Sequence, residues 1–215
     1  MSNDIDVEKR SKIKAIYLAD SDLKVAGSLI YQAYRNDSVF QDIFQSDQEG
    51  YGDRLRSAIR EELKNFLRAE QPMIGLFDDE RLVAVACLNS SEAAFGGGRY
   101  WHWKFKMLLT AGFVGTKQLL EKEQKILENV PVEHFHILSF IAVHPGERGL
   151  GLPTMLLSAV ESAMLEDENS QGIAVFRTLD RNRELFESSG YRPLKEMEVG
   201  NIKGMLMFRD RVKPK

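Results

Sequence analysis

Most residues whose types and spacing could do chemistry lie in one stretch, Ile137-Leu138-Ser139-Phe140-Ile141-Ala142-Val143-His144-Pro145-Gly146-Glu147-Arg148-Gly149-Leu150-Gly151-Leu152-Pro153-Thr154. An apolar run enters a glycine-rich turn, and the turn opens onto a segment with helical spacing. A helix N-terminus leaves backbone N–H groups unpaired and carries the positive end of the helix dipole, so it favours a phosphate. Gly149 and Gly151 lack the side chains that would hold a pyrophosphate away from those amides. Arg148 adds a fixed positive charge beside them. A nucleotide P-loop is disfavoured because no Gly-Lys-Ser/Thr follows. A dinucleotide fingerprint is disfavoured because Gly149-Leu150-Gly151 leads to Pro153 and Thr154 with no third glycine.

Other side chains invite sharper readings beside bland ones. His134 and His136 stand on the opposite strand parity from Ile137 and Ser139, so they read as surface or hydrogen-bonded residues unless a bulge shifts the register. Trp101, Trp103 and Phe105 alternate within a long insertion and read equally as core or as a substrate pocket. Glu121, Glu123 and Glu128 read as a solvated helix face. Cys87, inside an apolar run, reads as an inert buried thiol. As the single cysteine it excludes a disulfide framework and any multi-cysteine metal site, so no metal is expected.

The glycine-rich segment resembles the acyl-CoA-binding motif of the GNAT superfamily of N-acyltransferases. Val143 and Pro145, then Arg148 and Gly151, then Thr154 with the apolar Met155-Leu156-Leu157, follow that pattern. The downstream run Arg181-Asn182-Arg183-Glu184-Leu185-Phe186-Glu187-Ser188-Ser189-Gly190-Tyr191, with the long insertion, looks most like the puromycin-acetyltransferase-like branch. The resemblance implies transfer of an acetyl or short acyl group from CoA to a primary amine, by direct attack and without a covalent enzyme intermediate. It implies that backbone around Ile141 and Val143 pairs with the pantetheine and polarises the thioester carbonyl. It places Arg148, Gly149, Leu150, Gly151 and Thr154 around the pyrophosphate, and Asn182 and Phe186 along the pantetheine arm. The sequence departs from the family twice. Pro153 removes an N–H from the helix start, and Phe186 stands where the family commonly carries the Tyr that protonates the departing thiolate. Ser139 is then the nearest alternative proton donor, and a slow enzyme is expected. Phe186 also keeps open the alternative of a non-catalytic acyl-CoA-binding protein.

These residues need a frame, and the chain of 215 residues is long enough for one domain spanning 1–215 with a sizeable core. Hydrophobic residues make up 43% and charged residues 28%, with a formal charge of −3. That balance excludes disorder and argues against a nucleic-acid binder. No apolar run reaches the length of a membrane span and the first residues lack a signal-peptide core, so a cytoplasmic monomer or homodimer acting on a small-molecule amine is expected. Periodicity predicts a strand near Ile16 and helices over 23–33 and 55–67. A hairpin follows from Met73 to Leu88, then a strand over 135–143. The region of about 90–131 reads as a largely helical insertion with a hinge at Gly96-Gly97-Gly98. A helix, a strand, a short helix and a terminal hairpin turning at Gly200-Asn201 close the chain. The predicted class is α/β, with a mixed sheet flanked by helices. The family resemblance makes that sheet mostly antiparallel.

Overall fold

The computed structural model describes residues 12–92, 97–147, 150–178 and 182–212, with the side chains of 97–106, 108–111 and 113–114 outside that description. In chain order the elements are β1 (Ile13–Tyr17), α1 (Leu23–Tyr34), α2 (Ser38–Ile43), α3 (Tyr51–Arg68), β2 (Met73–Asp78), β3 (Arg81–Ser90) and α4 (Gly97–Asn129). Then follow β4 (His136–Val143), α5 (Leu152–Glu166), β5 (Gly172–Arg177), α6 (Arg183–Ser188), β6 (Arg192–Val199) and β7 (Ile202–Asp210). The strands form one sheet in the order β1-β2-β3-β4-β5-β7-β6. Every neighbouring pair is antiparallel except β4 and β5, which run parallel.

The central strand β3 is an almost unbroken apolar run because both its faces are covered. Val85 and Cys87 face the helices α1, α2 and α3, while Ala84, Ala86 and Leu88 face α5. Helix α3 buries Leu55, Ala58, Ile59, Leu63 and Phe66 as one stripe and turns its charges outward. Helix α2 is short and owes its start to Asp37, whose carboxylate accepts from the amides of Val39 and Phe40 at 3.0 and 3.3 Å.

Two features depart from the reading of periodicity. The insertion is helical from Gly97 to Asn129, and Gly97 and Gly98 lie within that helix instead of forming a hinge. Gly96 lies outside the described residues. The break falls at Gly112, whose φ of 69° and ψ of −177° no side-chain-bearing residue adopts cheaply. The second feature is a bulge in β4. Cys87 pairs with Phe140 but Leu88 pairs with Leu138, leaving Ser139 as the extra residue. Side-chain parity therefore reverses at Ser139. Ile137 packs with the cluster beneath α4, whereas Ile141 and Val143 pack toward α5.

Strands β4 and β5 share only two residue pairs, His136 with Ile173 and Ile137 with Ala174. Beyond those pairs the strands part. The sheet therefore opens in its middle, at the C-terminal end of β4.

Candidate active site

The parted strands open into a cavity of about 580 Å³. Ser139, Ile141 and Val143 of β4, Val175 and Phe176 of β5, and Asn182 and Phe186 at α6 line it. Tyr34 and Asp37 close one side, and Lys122 and Ile126 of α4 reach it from the insertion.

The free edge of β4 supplies backbone polarity. The His144 amide bonds to Val83 on the β3 side at 2.8 Å, so by alternation the amides of Ile141 and Val143 point toward the cavity. The Ile141 amide donates to the Tyr34 hydroxyl oxygen at 3.0 Å. The Tyr34 ring is held edge-on to Phe40 and Phe140, with centroids 5.1 and 5.6 Å away. Burial pushes its phenol well above the ordinary range and the Asp37 carboxylate adds to the rise, while the Ile141 bond opposes it. The phenol thus stays protonated, a donor as well as an acceptor. Asp37 does a second job beyond capping α2, because its other oxygen accepts from the Thr178 hydroxyl at 2.9 Å. That bond ties α2 to the end of β5 across the opening.

After β4 the chain makes a short 3₁₀ turn over Pro145–Glu147. Glu147 is buried and pairs with Arg81 from the β2–β3 hairpin, which anchors the turn to the sheet. Helix α5 starts from Gly151, in the left-handed region at φ 70°. Leu150 and Leu152 on either side point into the core at 7% and 0% exposure. Only backbone of that stretch faces outward, so Leu150 offers its peptide group and not its side chain. Thr154 is exposed on the first turn, and Pro153 borders the cavity. Arg148 and Gly149 lie outside the described residues.

Phe186 is buried, packs edge-on against Tyr191 at 5.3 Å, and shows one side to the cavity. Asn182 stands at the N-cap of α6 without a side-chain capping bond. Asn182 lines the cavity.

Beside the Ser139 bulge lies a second, smaller cavity of about 50 Å³ between α2, α3 and α4. Phe40, Lys122 and Ser139 line both cavities, so the two meet at the bulge. Glu62 and Glu123 line the smaller one. Glu123, read as part of a solvated face, is half-buried and lines this cavity. Burial, then the neighbouring Glu62 carboxylate, push its carboxyl up to about 7, against a smaller opposing pull from Lys122. Glu121 pairs with Lys125 at 2.6 Å and Glu128 accepts from Gln124 at 2.7 Å, as a helix surface should.

The two histidines and Cys87 stay outside this arrangement. His136 is buried, with Nδ1 2.9 Å from the Ser170 hydroxyl, and burial lowers its pKa against the pull of Asp167. His134 sits at the surface beside Glu92. Cys87 is fully buried and its thiol is pushed up by burial, which leaves it unreactive. Trp101, Trp103 and Phe105 fall on α4, with side chains outside the described residues. Among the described residues no group of three or more His, Cys, Asp or Glu could hold a metal ion, and no helix is long and apolar enough to cross a membrane. Sequence reasoning missed Tyr34, Asp37, Lys122 and Glu123. Asp37 had a signal, an Asp just ahead of Val39-Phe40 at a helix start. Tyr34 had none, since its role exists only where α1 meets β4.

No sequence-family model matches the chain, and none of the curated proteins resembles it in sequence. Solved structures do resemble it in shape. A histone acetyltransferase HPA2-related acetyltransferase from Corynebacterium glutamicum superposes with a TM-score of 0.67 at 15% identity, covering 94% of this chain and 98% of that one. A putative arylalkylamine N-acetyltransferase 7 from the yellow fever mosquito superposes with a TM-score of 0.66 at 11% identity, covering 93% and 88%. A putative acetyltransferase from Salmonella typhimurium, solved with acetyl-CoA, superposes with a TM-score of 0.57 at 13% identity, covering 94% and 96%. Likeness at such identities is likeness of fold. The seven-stranded, mostly antiparallel sheet flanked by helices is the GNAT fold.

Proposed function

We propose that this chain transfers an acetyl or other short acyl group from CoA to the primary amine of a small molecule. The observation that carries the reading is the parting of β4 and β5 around a cavity of about 580 Å³, with the Ile141 amide turned inward. An inward strand edge can pair with an amide-bearing arm, and the left-handed glycine that starts α5 leaves backbone amides open for a pyrophosphate. The residues present thus fit an acyl-CoA. Such a donor supplies an activated acyl carbon that an amine can attack directly, and the rest is done by this chain.

The Ile141 amide is the donor for the carbonyl oxygen as negative charge develops on it. Val143 extends the same edge, and Asn182 and Phe186 cover the opposite wall. Arg148, Gly149, Leu150, Gly151 and Thr154 are assigned to the pyrophosphate. Ser139, at the bulge, is the proton donor assigned in place of the missing Tyr. The acceptor is a small amine, in keeping with the arylalkylamine acetyltransferase among the structural neighbours. The long insertion and the run from Asn182 to Tyr191 favour the puromycin-acetyltransferase-like branch, and the single cysteine, Cys87, suits a reducing cytoplasm. A second reading, a non-catalytic acyl-CoA binder, is favoured by Phe186 alone.

Thermal shift with acetyl-CoA, CoA, ATP and NAD tests the reading, because a ligand that binds the native state raises its unfolding midpoint. A rise with the CoA species alone is expected, abolished in Gly151→Asp, which sets a carboxylate where the pyrophosphate should lie. Thiol release across a panel of amines then separates enzyme from binder. A midpoint indifferent to CoA species would reject both.

A further inference from the structure

The smaller cavity behind the Ser139 bulge holds an arrangement that the CoA motif does not account for. Its depth is apolar, lined by Phe44, Leu55, Ile59 and Met107, yet Glu123 projects into it. Glu123 has no hydrogen-bond or ion-pair partner among the described residues, although Glu121 and Glu128 on the same helix do. The Glu123 side chain is half-buried beside Lys122 and Glu62, and the desolvation on its apolar side is costly to a carboxylate unless a cation seated there neutralises it. The recess adjoins the larger cavity at Ser139, close to where the Ile141 amide faces inward.

Building on the acyl-transfer reading above, we infer that this recess is the acceptor subsite, taking a short-chain aliphatic primary amine with its ammonium on Glu123 and its alkyl part among Leu55, Ile59 and Met107. At about 50 Å³ the recess accommodates roughly four water-sized groups, so a butyl chain fits and a fused aromatic system does not. Glu123 also answers the question of which base frees the amine. One N–H bond of the ammonium breaks and an O–H bond forms on the Glu123 carboxylate, directly or through one water, leaving the nitrogen lone pair free. The second proton, lost as the C–N bond forms and the C–S bond breaks, leaves with the thiolate. The products are amide and thiol, and Glu123 returns its proton to solvent.

Among the described residues, the charged groups facing Glu123 are Glu62 from α3 and Lys122 from α4. From α2 and β4 the cavity receives Phe40, Phe44, Ser139 and Phe140, which carry no charge. With the carboxyl raised to about 7, the amine-dependent rate should climb through that pH and lose this limb in Glu123→Gln.

The probe is n-butylamine, titrated calorimetrically into the protein without CoA at a pH above that value. Wild type should bind it, and Glu123→Gln should weaken binding by about 10-fold or more, the order of one charge-assisted hydrogen bond. Ala58→Leu, which fills the recess, should abolish butylamine binding while the acetyl-CoA thermal shift persists. Equal butylamine binding by wild type and Glu123→Gln would overturn the assignment, as would a rate limb near pH 7 that survives in Glu123→Gln. Butylamine bound through Glu123 in a protein indifferent to acetyl-CoA would keep the amine site and remove both the acyl-transfer reading and the acceptor role drawn from it. Acetyl-CoA binding without butylamine binding would do the reverse.

Discussion

Tyr34 is the side chain that holds the inward amide of β4. Its hydroxyl occupies the amide that an incoming carbonyl would need, so a ligand must displace it. Tyr34→Phe removes one hydrogen bond from the native state and should cost about 1 kcal/mol in urea unfolding. Because the amide is then available, acetyl-CoA affinity measured by calorimetry should rise. Weaker binding in that variant would mean that the phenol holds the donor itself. Position 186 carries a second expectation at this scale. Phe186 packs on Tyr191 and borders the cavity but has no proton to give. General acid catalysis is worth about 10²–10⁴-fold, so the wild-type rate should be low and Phe186→Tyr should preserve or raise it. Ser139→Ala should lower it further. A wild-type rate unchanged by either substitution would assign the proton to another group.

At the scale of elements, α4 is the long helix that breaks in its middle. Its break at Gly112 sets the direction of the segment that carries Lys122 and Glu123. Among the described residues a Cβ added there would meet nothing within 4 Å, so a substitution is felt chiefly through the backbone. Gly112→Ala should cost about 1–3 kcal/mol, the penalty for a side-chain-bearing residue in a φ/ψ region essentially reserved for glycine. It should raise the amine KM while leaving the acetyl-CoA midpoint shift intact. An unchanged KM would show that the acceptor side does not depend on the bend. The same helix shows what could be read from the chain and what could not. Leu119, Leu120, Ile126 and Leu127 announce a helix by spacing, and the glycine-rich turn announces the start of α5. Spacing does not say which of several glycines breaks a helix, nor which glutamate turns inward once two helices pack. The bulge at Ser139 was equally silent, because it arises from the pairing of β4 with β3 and leaves no mark in β4 itself. Local chemistry is written in order along the chain; contacts between distant elements are not.

For the molecule as a whole, acid should be destabilising in a way that can be traced to His136. Burial holds its folded pKa below the ordinary 6.5, so the unfolded chain binds the proton more readily. Stability therefore rises with pH through that range and is lost as pH falls below about 6.5. Urea unfolding between mildly acid and neutral pH should show this slope, and His136→Gln should flatten it. Equal slopes would assign the acid loss elsewhere. The two-pair contact between β4 and β5 has a different consequence. It leaves two strand edges facing each other inside the molecule, each with a row of amides and carbonyls not joined to the other. Such edges are templates for any extended chain, including a second copy caught while folding. The Asp37–Thr178 bond across the opening obstructs that capture. A small molecule seated between the edges would then act against self-association as well as feeding a reaction, and the protein should keep longer in solution with acetyl-CoA than without it.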